Sequence, residues 1–193
     1  MIDMNNKTEK NMLNRDDQMI ALQIARDSIS SAFDNKSADY SEIIKNSDIF
    51  NQKLGVFVTL KENDQLRGCI GNFEPGDNLA DNIANMAREA AFDDPRFDPL
   101  PRDELSSVNI EISVLSPLNK ITNPNLIEVG KHGVYIKQGR SSGVFLPQVA
   151  PEQGWDRIEL LNNLCENKAG LARDCWKDKT TSIYTFTAQI FSE

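Results

Sequence analysis

The stretch LGVFVTLKENDQLRGCIGNF, residues 54–73, predicts a β-hairpin and thereby the first part of the fold. Residues 54–60 are almost all apolar, with many β-branched and aromatic side chains, as is typical of a strand covered on both faces. Residues 62–65 have turn composition, and residues 66–73 return as the second strand.

The second strand contains the hexapeptide LRGCIG, residues 66–71. Because side chains alternate along a strand, Arg67, Cys69 and Gly71 are predicted to share one face. A neighbouring cation raises the thiolate fraction of a cysteine, and the thiolate is the reactive form. Gly68 and Gly71 indicate a bend, a bulge or a ligand close to the backbone. The alternative is that Cys69 is a small, inert core residue and that the glycines are packing kinks.

Helices are predicted on both sides of this hairpin. Asn14 caps a helix reaching about residue 35, and Asn78 opens a helix that ends at Asp94, before a proline. Asp156 and Glu159 have the spacing of a capping box. Further strands are predicted at residues 108–114, 134–137, 144–146 and 184–190.

A gapless shift of 78 residues aligns the hairpin, loop and helix that begin at Gly55 with those that begin at Gly133. Identities are few, so the correspondence concerns topology more than sequence. It predicts an α+β fold in which duplicated hairpin-loop-helix units surround a barrel-like β-sheet flanked by helices, with a smaller lobe. Residues 1–13 are expected to form a flexible tail, and residues 14–193 a single domain with two lobes as an alternative.

Composition excludes several classes of protein. The 193 residues carry a net charge of −8, which argues against a nucleic-acid ligand. The longest apolar runs are strand-sized, so no membrane span is expected, and the polar N-terminus does not resemble a secretion signal. The three cysteines form no C-x-x-C pair, which favours a reducing cytoplasm over a disulfide scaffold. With a single histidine no metal site is predicted, although a mixed cysteine, histidine and carboxylate site is an alternative.

Six co-linear segments resemble one family, the AMMECR domain, named for the AMME chromosomal region protein. The segments are LRGCIG (66–71), AAFDDPRFDPL (90–100), IEISVLSP (110–117), VGKHGVYI (129–136), SGVFLPQVAPEQGWD (142–156) and the ending at residues 184–191. The resemblance implies a duplicated α+β fold around a barrel-like sheet and a cytosolic protein. It also implies a Memo-like protein and a radical SAM enzyme as partners. The resemblance leaves the cofactor unknown, and the family has no established biochemical activity.

Chemistry is predicted for four residues: Cys69, Arg67, His132 and Glu111. Cys69 is the nucleophile or thiolate ligand, and Arg67 tunes it and holds an anionic group. His132, which lies between glycines just before a strand, exchanges a proton, and Glu111 orients it. The alternatives are a structural histidine and a solvated carboxylate.

Ligand binding is predicted for Gly68, Gly71, Gln148 and Arg96. Gln148 ends a hairpin strand and offers a neutral donor and acceptor. The alternative for Arg96 is an ion pair with Asp93 or Asp94. Residues 74–104 contain nine acidic and three basic side chains, which form a solvated surface or a docking site for a basic partner.

Two classes of function follow from the sequence. In the first, the domain is a thiol-centred enzyme or enzyme subunit that acts with the two implied partners. In the second, it is a non-catalytic module that binds a small molecule or a protein, with LRGCIG as a pocket wall. The second class is favoured by the lack of a complete catalytic signature, since the chain has no G-x-S-x-G sequence and no phosphate loop.

Overall fold

The helices begin where the sequence supplies caps. The computed structural model describes residues 13–36, 38–73 and 75–193. Over this part of the chain the α-helices are α1 (Arg15–Ala32), α2 (Ser41–Asn46), α3 (Leu79–Phe92), α4 (Val149–Gln153) and α5 (Arg157–Asn163). Asn14 Oδ1 accepts hydrogen bonds from the backbone N–H groups of Asp16 (2.9 Å) and Asp17 (3.0 Å), as predicted for the α1 cap. The predicted cap Asn78 and the predicted Asp156–Glu159 capping box are also present.

Eight strands are observed among the described residues. They are β1 (Val56–Glu62), β2 (Gln65–Asn72), β3 (Val108–Leu115), β4 (Asn119–Ile121), β5 (Gly133–Gln138), β6 (Ser141–Phe145), β7 (Ser182–Phe186) and β8 (Ala188–Ser192). The predicted hairpin is β1–β2, and its turn residues Asn63 and Asp64 both have positive φ (50° and 62°). Such backbone geometry matches the twist of the flanking strands.

The strands form two sheets. One four-stranded sheet has the order β2-β1-β3-β8, and the other has the order β4-β7-β5-β6. The prediction of one barrel-like sheet was wrong for the described residues, which form no closed barrel. In the first sheet β1 pairs with β2 and, on its other side, with the later strand β3. In the second sheet β5 pairs with β6 and, on its other side, with the later strand β7.

The chain divides into two compact units. The first contains the described residues up to Leu115 together with Gln189–Glu193, and the shorter second unit is Ser116–Ala188. In each unit a hairpin is followed by a helix and then by a strand that pairs antiparallel with the first strand of the hairpin. The order of hairpin and helix is the one that the 78-residue correspondence predicts, and the strand that follows and pairs back is an addition to it.

Each unit has its own hydrophobic core. In the first unit the buried faces of α1 and α3 and the inward side chains of β1 and β3 form one cluster, which includes Ile24, Ile83, Leu60 and Ile110. In the second unit, β5 and α5 supply Val134, Ile136, Leu160 and Leu161 to a separate cluster. Burial of aliphatic side chains of this kind is the main favourable term in folding.

The predictions for the two ends of the chain have different outcomes. The single closing strand predicted for residues 184–190 is interrupted at Thr187, and its halves β7 and β8 belong to different sheets. The predicted flexible tail lies outside the described residues except at Leu13. This residue is only 2% exposed, and its backbone N–H donates to Gln189 Oε1 at 2.8 Å. Leu13 is therefore fixed in the core.

The cysteine pattern favoured a reducing cytoplasm over a disulfide scaffold, so no disulfide was predicted, but one is observed. Cys165 and Cys175, both buried, form a disulfide that spans ten residues with a Cα–Cα distance of 5.9 Å. The sequence spacing gave no sign of this pair because C-x₉-C is not a recurring motif. Cys69 is the remaining free cysteine.

A membrane-spanning helix was not expected. None of the helices within the described ranges is both long enough and apolar enough to cross a bilayer.

Candidate functional site

The LRGCIG hexapeptide lies on an edge strand. Strand β2 pairs with β1 along one side only. Cys69 has its backbone groups on the other side, where the N–H donates to Asp94 Oδ2 at 2.8 Å and the carbonyl accepts from Arg96 Nη2 at 2.9 Å. Two side chains from the loop after α3 thus occupy the hydrogen-bonding positions that a neighbouring strand would occupy.

Asp94 and Arg96 are themselves tied together. Arg96 Nε and Nη2 donate to the two oxygens of the Asp94 carboxylate at 2.9 and 2.7 Å, a forked geometry that is among the stronger ion pairs. The hydrogen bond from Arg96 lowers the pKa of Asp94 far below its usual value, with help from the N–H groups of Cys69 and Arg96 and against the effect of burial. Asp94 is only 4% exposed, so its charge is held by these partners.

Cys69 contacts a hydroxyl through its thiol and a guanidinium through its backbone carbonyl. Thr59 Oγ1 donates to Cys69 Sγ at 3.3 Å, and the thiol is half-buried. The pKa of Arg96 is raised first by its hydrogen bond to Asp94 and to a smaller extent by the side chain of Cys69. Reactive cysteines are typically partly exposed and lie beside polar and cationic groups of this kind.

Arg67 takes a different position from the one that strict alternation predicts. The β1–β2 register pairs Leu60 with Gly68 and Lys61 with Leu66, so a β-bulge leaves Arg67 without a partner on β1. Its guanidinium binds Glu104 Oε2 at 3.1 Å and the carbonyl of Asp98 at 2.9 Å. The cation in contact with Cys69 is consequently Arg96.

Glu111 lies on the same sheet face as the thiol. Thr59 is paired with Cys69 on one side and with Glu111 on the other, so these three residues form a row across β2, β1 and β3. The ends of the row are about 10 Å apart, which is two strand spacings. Glu111 Oε2 accepts from Lys61 Nζ at 2.8 Å. The opposite face of β1 is buried in the core, where Val58 and Leu60 lie.

The two glycines of the hexapeptide permit close packing inside the protein. A Cβ added to Gly68 would lie 2.1 Å from the carbonyl oxygen of Ala90 in α3, and one added to Gly71 would lie 2.3 Å from the Phe57 ring. The close backbone approach that the glycines predict is therefore made by α3 and by an aromatic ring. Their predicted ligand contacts stay a prediction.

His132 and Gln148 belong to the second unit. Both lie at the end of the β5–β6 hairpin where Val134 pairs with Phe145. His132 Nδ1 accepts from the backbone N–H of Glu128 at 3.1 Å. Gln148 Oε1 is buried without a hydrogen-bond partner in the described structure. The pairing of Glu111 with His132 stays a prediction.

The structure thus brings Cys69 and Arg96 into contact and places Glu111 in the same row. The sequence analysis missed two residues of this group. Thr59 could have been found only by knowing the hairpin register. Asp94 was named only as an alternative ion-pair partner of Arg96, and this pair is observed. Among the described residues, no three histidine, cysteine or acidic side chains are arranged to bind a metal ion.

Comparison with known proteins gives consistent matches. A family model described as AMMECR1 matches residues 22–191. Protein NEQ441 of Nanoarchaeum equitans is 44% identical over 178 residues, which cover 89% of this chain and 97% of that protein. Protein Mbar_A1807 of Methanosarcina barkeri is 43% identical over 180 residues, which cover 90% of this chain and 88% of that protein.

A solved structure is also similar. The crystal structure of the uncharacterized protein PH0010 from Pyrococcus horikoshii superimposes with a TM-score of 0.78 at 38% sequence identity. The match covers 90% of each chain. The fold described above is therefore shared with a relative of known structure.

Proposed function

This chain is a member of the AMMECR1 family, and we propose that it is a thiol-centred enzyme or enzyme subunit with Cys69 as its nucleophile. The observation that carries the proposal is the environment of the Cys69 sulfur. Cys69 is half-buried, its sulfur accepts a hydrogen bond from Thr59, and its carbonyl accepts one from the Arg96 guanidinium, whereas the other two cysteines form a disulfide.

The proposed step is displacement at an electrophilic carbon. The Cys69 thiol first loses its proton to solvent. The thiolate electron pair then forms the sulfur–carbon bond, and the bond to the leaving group breaks with its electron pair retained by that group. The exposed part of Arg96 attracts an anionic portion of the substrate, since its side chain is 54% accessible. The parts predicted for His132 and Gln148 stay predictions, and the proposal rests on the first unit alone.

Iodoacetamide labelling of the unreduced native protein tests the proposal. We expect a single carbamidomethyl group at Cys69, added severalfold faster at pH 7 than to the same residue in the denatured chain, because reactive cysteines lie in partly exposed surroundings with a nearby cation, as Cys69 does. Peptide mass spectrometry gives both the position and the rate. A rate in the native protein equal to or below that in the denatured chain would refute the proposal.

A conservative variant tests whether the Thr59 hydroxyl is responsible for the reactivity of Cys69. Thr59→Val removes the hydroxyl donor with little change in volume, so labelling of Cys69 should slow severalfold. The matched control is Thr122→Val, because Thr122 is exposed and lies in the second unit. Unchanged labelling in the Thr59 variant would show that the hydroxyl does not activate the thiol.

The second candidate function is a non-catalytic binding module. It is favoured by the ion pairs of Arg67 with Glu104 and of Glu111 with Lys61, which already neutralise two of the four side chains predicted for chemistry. Cys69→Ser separates the candidates. A biological activity of the full system that survives this change would support binding, and one that is lost while folding is unchanged would support catalysis.

The proposed partners are a Memo-like protein and a radical SAM enzyme in the cytoplasm. This part of the proposal rests on the family resemblance and on the acidic character of residues 74–104, which suits a basic partner surface. Co-purification of the full chain with each partner tests it. Absence of a complex at micromolar concentration and low salt would count against direct association.

A further inference from the structure

A half-open pocket of about 290 Å³ lies in the first unit, away from the Cys69 thiol. Its walls come from Ser28 in α1, from Lys36, Ala38 and Tyr40 after α1, and from Asp77 and the part of α3 between Asp81 and Arg88. The polar side chains that matter are Lys36, Tyr40, Asp77, Asp81, Asn85 and Arg88. A pocket of this volume is at the lower end of the range for small-molecule sites.

The charged side chains of the pocket form no ion pairs with one another in the described part of the chain. In the described part of the chain, Lys36, Arg88 and Asp77 take part in no ion pair. The carboxylate of Asp81 accepts one hydrogen bond from the side chain of Asn78, so further lone pairs are free. Two cations and two carboxylates therefore face one concavity with most of their hydrogen-bonding capacity unused.

The inner wall is fixed by internal hydrogen bonds. Tyr40 Oη donates to the carbonyl of Ile24 at 3.2 Å, and Ser28 Oγ donates to the carbonyl of Ala84 at 2.8 Å. Both donors are thus satisfied, and the hydroxyl oxygen of Tyr40 still has a lone pair for a ligand. The wall is preorganised, so a ligand would not need to order it.

The charges are also separated in space. Asp81, Asn85 and Arg88 follow one another at helical spacing on one face of α3. The rise from Asp81 to Arg88 is about 10 Å along the helix axis. Asp77 lies before the helix, on the side of Asp81. Along α3 the lining thus runs from the acidic Asp77 and Asp81 to the basic Arg88, and the four formal charges, including that of Lys36, sum to zero.

We propose that this pocket binds a small zwitterion of amino-acid or dipeptide size. The ligand ammonium group is bound by Asp77 and Asp81, and its carboxylate by Arg88 and Lys36. Asn85 and Tyr40 hydrogen-bond to the polar atoms between the two charges. The proposal is independent of the reactivity of Cys69, which lies on β2 and not in this lining.

Binding to the full chain is measured by isothermal titration calorimetry with the twenty L-amino acids and glycylglycine as separate probes. We expect at least one probe to bind with a millimolar or lower Kd. Its N-acetyl and its carboxamide derivatives, which each lack one charge, should bind at least tenfold more weakly, because each removes one charged contact.

Variants locate the site. Arg88→Gln and Asp77→Asn each remove one charge at opposite ends of the pocket and should each weaken the best probe about tenfold. The control Arg173→Gln removes a guanidinium that pairs with Glu166 in the second unit, and it should leave binding unchanged.

Three outcomes would overturn the proposal. They are no binding by any probe up to 10 mM, equal binding of the derivatives that lack one charge, and unchanged binding in both pocket variants. If a pocket variant does not fold, the comparison of probe and derivatives on the unmodified chain still decides the question.

Discussion

At the scale of single residues, Asp94 links the strand that carries the thiol to the loop that follows α3. One carboxylate, 4% exposed, accepts from the backbone of Cys69 and from the side chain and backbone of Arg96. A side chain with this many charge-assisted hydrogen bonds fixes the main chain at the thiol. Its position before a proline predicted a helix end, and nothing in that pattern indicated contact with a strand 25 residues earlier.

Asp94→Asn should destabilise the protein by about 1–3 kcal/mol, because it replaces charge-assisted hydrogen bonds by neutral ones and leaves Arg96 unpaired. Urea unfolding measures the change. Asp93→Asn is the matched control, since Asp93 is the exposed neighbour. An equal effect of the two changes would contradict the assignment.

The ion pair of Asp94 with Arg96 predicts that the free energy of unfolding depends on pH. The pKa of Asp94 in the fold lies well below its usual 3.8, so in acid the unfolded chain takes up this proton first. The stabilising contribution is complete above about pH 5 and declines as the pH falls below 4. The difference in unfolding free energy between the native chain and Asp94→Asn should therefore shrink from pH 7 to pH 3. A constant difference would show that the charge is irrelevant.

Gly71→Ala should cost about 1–3 kcal/mol, since the new Cβ would lie 2.3 Å from the Phe57 ring and force it to move. The thermal unfolding midpoint reports the loss. Gly76→Ala serves as the control, because a Cβ there meets nothing within 4 Å and the backbone φ is not in the left-handed region. Equal midpoints for the two variants would mean that the ring moves without cost.

At the scale of secondary structure, caps and turns were predictable because their signals are local. The caps Asn14, Asn78 and Asp156 and the turn at residues 63–64 all appear where the sequence places them. Pairing beyond the turn was less predictable. The pair Glu62–Gln65 at the turn implies that Thr59 faces Gly68, whereas the bulge shifts the register by one residue and brings Thr59 opposite Cys69.

The hairpin turn gives a prediction of its own. Asp64 has φ of 62°, so Asp64→Gly should exceed Asp64→Ala in stability by about 1 kcal/mol, because only the alanine is strained in this conformation. Chemical denaturation of both variants measures the difference. At Asp103, which lies in a short helical turn without positive φ, glycine should have no such advantage. The same ranking at both positions would count against backbone strain as the cause.

The wrong predictions of the sequence analysis share a cause. The break at Thr187 and the Cys165–Cys175 bond both depend on which residues the fold brings together in space. Alternating hydrophobicity reports that residues 184–190 are extended, and it contains no information about which sheet each half joins. Likewise, the number of cysteines does not determine which of them come within bonding distance.

At the scale of the whole molecule, the chain consists of two units with separate cores. The family and the α+β class were predictable because they rest on many residues at once. The barrel-like sheet was not, since closure depends on the tilt and stagger of strands, which side-chain patterning does not determine. The thiol group lies in the first unit, and the disulfide lies in the second.

Reduction of the disulfide should destabilise the second unit by up to about 3 kcal/mol, the value expected for a loop of this length in the chain-entropy account. Hydrogen–deuterium exchange locates the effect. Peptides from Ser116–Ala188 should lose protection in dithiothreitol, and those from α1 and α3 should keep it. A chain with both Cys165→Ala and Cys175→Ala should behave the same without reductant, and equal loss in both units would contradict the prediction.

The hydrogen bonds that Asp94 and Arg96 form with β2 also affect whether two molecules can associate through this strand. An uncovered strand edge is a template on which a second molecule can add its own strand, and such addition leads to aggregates. Here the loop after α3 already occupies the backbone N–H and carbonyl of Cys69 at that edge. The residues that hold the backbone of Cys69 thus also cover this part of the strand edge. We expect substitutions that release the loop to expose both the thiol and an edge that can pair with a second molecule.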